Sequence, residues 1–171
     1  MALTEFWGIV THAGDIRLWI LVLFFSAVYI YIAKGHHFAF YTRHRQQFRK
    51  WLWVAFFALV IGGLASQGLK ELLQVPRICD PLLNAYCPTD SFAFPSGHAA
   101  IAFAMLTAIP LSTGSRKHWL FLALAFVIAY SRLALGVHSF GDVGAGAILG
   151  VVAALAAQKI YDIEKYYKRN S

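Results

Sequence analysis

Five stretches of the chain are almost free of charge: Leu18 to Ala33, Trp51 to Leu69, Ser91 to Ser115, Trp119 to Ser131 and Val143 to Gln158. None carries the continuous polar face that a helix at the surface of a soluble bundle shows. A helix crossing the hydrocarbon needs about 20 residues. Interfacial groups such as Arg17, Lys117 and Arg132 lengthen the shorter runs by extending their charged ends toward water. The pattern predicts an all-α fold, a polytopic membrane helix bundle of about five transmembrane helices. Ahead of them, Leu3, Phe6, Trp7, Ile9 and Val10 predict a short N-terminal helix resting on the outer membrane surface, with a lid over the site as the alternative.

Composition agrees. Hydrophobic residues make up 59% of the 171 positions and charged residues 13%, against roughly 45–50% and 25% in soluble domains. The excess apolar surface must face lipid. No internal repeat or low-complexity segment divides the chain, so residues 1–171 read as one domain. Met1 to Asp15 lacks a basic leader and carries Glu5 and Asp15, so no secretory signal is expected and the first span should stay in place.

A net charge of +7 raises nucleic acid as a partner, and the placement of the charges argues against it. Lys34, Arg43, Arg45, Arg49 and Lys50 follow the first span, Arg116 and Lys117 separate the third and fourth, and Lys159, Lys165, Lys168 and Arg169 follow the fifth. Eleven of the fifteen basic residues thus share one side. By the positive-inside rule that side is cytoplasmic, with the N-terminus outside and the C-terminus inside. Cys79 and Cys87 fall in an outer loop, where a disulfide and two free thiols both fit.

Against that topology, ionisable groups gather at the outer helix ends, where they are costly and therefore informative. Lys70 and Arg77 leave the second span, Ser96, Gly97 and His98 open the third after Pro95, Arg132 closes the fourth, and His138 and Asp142 enter the fifth. Three cations, two histidines and one carboxylate suit a phosphoryl group. Arg132 offers a bidentate fork. Pro95-Ser96-Gly97-His98 has the form of a helix start, whose free N–H groups attract an anion, and His98 can protonate a leaving oxygen. His138 and Asp142 stand four apart, so on a helix they share a face; the carboxylate then orients one imidazole nitrogen and frees the other to attack.

Lys70-ELLQVP-Arg77, Pro95-Ser96-Gly97-His98 and Ser131-Arg132-LALGV-His138-SFG-Asp142 resemble the three spaced motifs of the type 2 phosphatidic acid phosphatase family, over about Gln67 to Leu155. One position departs: Ile78 stands where the family has proline, with Pro76 on the other side of Arg77. Two spans precede the first motif in place of three. The resemblance implies His138 as nucleophile, Asp142 as its partner and His98 as general acid and then base. It further implies Lys70, Arg77, Ser96, Gly97 and Arg132 as phosphate ligands, no metal or other cofactor, and hydrolysis of a lipid phosphate or diphosphate at the outer face. Undecaprenyl diphosphate, phosphatidylglycerol phosphate, phosphatidic acid and lipid A phosphate all remain open as substrates.

Two other functions stay open at this point: transfer of the same phosphoryl group to a lipid acceptor, and a non-catalytic binding protein of the same fold. A metal or haem centre in the bundle is disfavoured, because His98 and His138 lie at helix ends and no carboxylates cluster as magnesium requires. Gly146 and Gly150 form a small-residue strip that serves helix packing or a dimer seam, and the oligomeric state is not legible.

Overall fold

The computed structural model describes residues 2–33, 39–77 and 92–170, and its ordered elements are helical. They are α1 (Ala2–His12), α2 (Ile16–Ala33), α3 (Ala39–Leu73), α4 (Gly97–Thr113), α5 (Phe121–Ala134) and α6 (Phe140–Asn170), with a 3₁₀ turn at Arg116–Leu120 before α5. Among the described residues, three helical segments are long and apolar enough to cross a membrane: His44–Leu73, Arg116–Ala134 and Phe140–Asn170. Leu3–His12 and Ile16–Ile32, bent by 45°, qualify only as a pair. Large apolar side chains such as Leu64, Phe126 and Ile148 point outward from these helices, which is stable against hydrocarbon and not against water.

Helix α4 is the hub. It is apolar all round, and Ala99, Ala100, Ala102, Ala104, Met105 and Ala108 are wholly buried among α3, α5 and α6. A helix buried on every side needs no polar face. Within the charge-poor run from Ser91 it starts at Gly97, where the Pro95-Ser96-Gly97-His98 motif places a helix start, with Ser96 at the N-cap in extended conformation. At 17 residues it falls short of the length of the three long apolar segments.

Small residues let α6 lie against α4. A Cβ at Gly146 would collide with the Ser96 carbonyl oxygen, and one at Gly150 with that of Ala100. The glycine strip is therefore used inside the subunit, to bring two backbones together.

Polar extensions make α3 and α6 longer than the apolar runs Trp51–Leu69 and Val143–Gln158 implied. Their basic ends meet at one end of the bundle, where Gln47 Nε2 also donates to the Thr113 carbonyl, 3.5 Å away.

At the opposite end, α1 does more than rest on a surface. Trp7 packs edge-on against Tyr130 of α5, centroids 5.3 Å apart, and Trp19 Nε1 donates to Ala13 O at 2.8 Å. The α1–α2 elbow is thereby set onto α4 and α5. Ile78, Cys79 and Cys87 lie outside the described residues.

Candidate active site

Each motif arrives at that end from a different helix terminus. At the end of α3, Gln74 adopts a positive φ of 47° and its N–H reaches Lys70 O at 2.9 Å, an αL stop that turns the chain. Ala93 N–H then bonds Val75 O at 2.8 Å, and Lys70 Nζ donates to Phe92 O at 2.6 Å. Lys70 is thus buried beside the start of α4. Arg77 lies beyond it and crosses to the α5–α6 connection.

That connection depends on Gly136, whose φ of 65° no L side chain adopts cheaply. Bonds from Gly136 N to Leu133 O and from Val137 N to Arg132 O close the turn. His138 is held just beyond it, with a side chain only 1% exposed.

His138 does not lie on α6, which begins at Phe140. The four-residue spacing to Asp142 works another way. Ser139 N–H donates to Asp142 Oδ2 at 2.8 Å, and Asp142 N–H to Ser139 Oγ at 3.2 Å. This reciprocal pair is a capping box. It fixes the carboxylate at the helix start, 3.5 Å from His138 Nδ1. The face-sharing geometry expected from the sequence is replaced by a cap, with the same two groups brought together.

On its other side, His138 Nε2 stands 3.3 Å from Arg77 Nη1, which is also 3.3 Å from Val137 O. A guanidinium only donates, so Nε2 is the acceptor and the ring proton belongs on Nδ1, facing Asp142. Burial first, and then the charges of Arg77, Arg132, Lys70 and His98, push the His138 imidazole well below the ordinary histidine range. The neutral ring then carries its lone pair on Nε2, toward Arg77.

Cations and buried polar groups lie around this nitrogen. Ser96 Oγ, Ser66 Oγ and Arg132 Nε are buried and make no hydrogen bond among the described residues. Ser96 N–H is tied to Asp142 O at 2.9 Å, joining the α4 start to the α6 start. Ser66 faces Gly97, where a Cβ would lie 3.6 Å from its hydroxyl. Unsatisfied buried donors around a cationic centre are what an incoming oxyanion would pair. Among the described residues no cluster of three His, Cys, Asp or Glu side chains gathers.

All eight residues singled out in the sequence converge here, and two others join them. Thr11 at the end of α1 is buried and accepts a 2.6 Å hydrogen bond from Arg132 Nη1. Gly14 lies against the general-acid candidate, since a Cβ there would stand 3.0 Å from His98 Cβ and 2.9 Å from Ile128 Cγ2. Neither was identifiable in the sequence: Thr11 sits 121 positions from Arg132 in an unremarkable apolar helix.

A consequence is measurable. Thr11→Val, which keeps the shape and removes the acceptor, should weaken inhibition by vanadate about tenfold through loss of one charge-assisted hydrogen bond. Thr11→Ser should restore it. Equal vanadate affinity in all three forms would show that Thr11 does not orient Arg132.

An apolar cavity of about 1110 Å³ opens between α2 and α3 and ends at Ser66, Lys70 and Gly97. It joins the cationic centre to the lipid-facing flank of the bundle.

A family model described as PAP2 superfamily matches residues 51–165. The chain is 44% identical over 63 residues to the bacitracin transport permease protein BcrC of Bacillus licheniformis, covering 37% of this chain and 30% of that protein. It is 52% identical over 62 residues to a lipid A 4'-phosphatase of Bacteroides thetaiotaomicron, covering 34% and 27%. These alignments therefore span less than a third of either relative. Two solved folds are similar along nearly the whole chain. Aquifex aeolicus LpxE has a TM-score of 0.63 at 22% identity, with 92% of this chain and 86% of that one covered. A PAP2-type phosphatidylglycerolphosphate phosphatase from Bacillus subtilis has a TM-score of 0.67 at 21% identity, with 94% and 77% covered.

Proposed function

The chain belongs to the PAP2 superfamily, and from that premise we propose that it is an integral membrane lipid phosphatase acting through a phosphohistidine. The observation that carries this reading is the neutral, buried His138 with its free-pair nitrogen among three cations, at the end of an apolar cavity open to lipid.

The substrate head enters the cationic centre with its tail in the α2–α3 cavity. Arg77 and Arg132 turn their guanidinium groups to the phosphate oxygens, joined by Lys70, Ser96 Oγ and the N–H groups at the start of α4, with Gly97 giving the backbone close approach. Release of Arg77 from His138 Nε2 exposes the lone pair, which forms the N–P bond as the bond to the leaving oxygen breaks. His98 gives that oxygen its proton, and Asp142 stabilises the positive charge that grows on the imidazole. Water then attacks the phosphohistidine with His98 as base, and inorganic phosphate leaves.

This reading has α4 crossing the membrane with the other helices, five spans in all, despite its 17 residues. Its flanking Ser and His at one end and Lys and Arg beyond the other extend it to both interfaces. With the basic ends of α3 and α6 in the cytoplasm, the active site lies at the outer face.

The relative named for lipid A and the similar fold named for phosphatidylglycerol phosphate, with undecaprenyl diphosphate from the family resemblance, define the panel that tests it. The purified protein, given these lipids and phosphatidic acid in the presence of a metal chelator, is expected to release inorganic phosphate from at least one. It should leave a soluble monoester such as glycerol phosphate far less affected. Loss of all release in chelator would overturn the metal-free route, and faster turnover of the soluble ester would overturn the lipid assignment.

A further inference from the structure

The bundle has a second cationic centre, at the end away from His138. A cavity of about 580 Å³ between α3 and α6 is lined by Arg45, Arg49, Lys165 and Lys168, over a floor of Trp53 and Tyr161. Its one acid, Glu164, is already paired with Lys168 one helical turn away. Three cations are left without a carboxylate in the cavity, and Lys50 adds a fourth charge over the Tyr161 ring, 5.6 Å from its centroid. Trp53 meets Tyr161 edge-on at 5.4 Å, which joins the two helices beneath the charges.

The two cavities adjoin along α3, since Arg49 and Trp53 line both. From Lys70 to Arg49 the groove follows α3 for about 31 Å at 1.5 Å per residue. That equals the whole hydrocarbon thickness of about 30 Å. A lipid belonging to one leaflet fills only half of such a length. The far half adjoins positive charge at the opposite face, where a phosphate head would sit among Arg45, Arg49 and Lys165 with its tails passing Trp53.

We infer that the chain holds a second, non-catalytic lipid site, for an anionic phospholipid of the leaflet opposite the active site. The site stands on the shared lining of the two cavities and does not depend on the reaction proposed above. The lipid completes the α2–α3 groove and fixes the spacing of two helices that otherwise enclose a void.

Native mass spectrometry of the delipidated protein, titrated with phosphatidylglycerol or with phosphatidylcholine of the same acyl chains, tests this. One phosphatidylglycerol should bind at least tenfold more tightly than phosphatidylcholine. Arg49→Gln with Lys165→Gln should weaken it about thirtyfold, from roughly one charge's attraction each, and Arg45→Gln with Lys168→Gln should act in the same direction. Arg77→Gln, in the active site, should leave it unchanged. All these positions except Arg77 are exposed, so unfolding midpoints in detergent should match the wild type and separate binding from folding. Equal affinity for the two lipids, or retention in both double variants, overturns the site. Loss in Arg77→Gln alone would assign the lipid to the active site instead, and displacement by millimolar inorganic phosphate would mark a free-anion site.

Discussion

Replacing His138 with Ala is expected to lower kcat on any accepted lipid phosphate by about 10⁴-fold or more, the scale seen when a covalent nucleophile is removed. The size follows from the geometry. Only Nε2 of this ring combines a lone pair with immediate contact to Arg77, the cation that would hand over the phosphate. The side chain is 1% exposed and the turn at Gly136 fixes the backbone around it, so the ring is held in one place. The variant should fold, since loss of a neutral imidazole leaves no new buried charge, and its unfolding midpoint should stay within a few degrees of the wild type. Phosphate release measured with labelled lipid reports the first effect. Acid quenching reports the second: the wild type should carry an acid-labile protein phosphate that His138→Ala lacks. Turnover in the variant within tenfold of the wild type would remove His138 from the reaction altogether.

What could be read from the sequence was whatever depends on one segment at a time. Pro95-Ser96-Gly97-His98 is a helix start because of its own residues, and α4 begins at Gly97 as that motif requires. The three motif segments converge because each ends or begins an apolar run, and apolar runs of similar length share two levels in a membrane. Thr11 and Gly14 were illegible for the opposite reason. Their roles come from how far α1 tilts against α5, set by Trp7 on Tyr130 and by the 45° bend before α2. No local pattern encodes a bend of that kind. The basic residues show both sides of this limit. Their alternation between loops gave a topology, yet the α3–α6 cavity formed only when polar ends that the hydropathy pattern had cut off proved helical.

Asp142 stands where the fold and the proposed chemistry meet, because one carboxylate oxygen, Oδ2, accepts from Ser139 N–H at 2.8 Å and lies 3.5 Å from His138 Nδ1. Asp142→Asn keeps an oxygen for Ser139 N–H, so the cap and the start of α6 should survive with a loss near 1 kcal/mol or less. What changes is the charge beside His138 Nδ1. The oxygen kept on Ser139 N–H is the one that faces Nδ1, so the ring would keep an acceptor and lose the carboxylate charge that balances a growing imidazolium. In the serine-protease triad the corresponding Asp-to-Asn change costs about 10⁴ in kcat, and a fall of about 10³ to 10⁴ is expected here. Ser139→Ala is the counterpart. It removes the acceptor of Asp142 N–H, should cost about 1 kcal/mol of stability, and leaves the 2.8 Å bond that aims the carboxylate. Its kcat should stay within a few-fold of the wild type. The pair is read by measuring kcat and the unfolding midpoint of each variant in the same detergent. If Ser139→Ala lost as much kcat as Asp142→Asn, the aspartate would be acting as a helix cap, and the orientation of His138 would have to come from elsewhere.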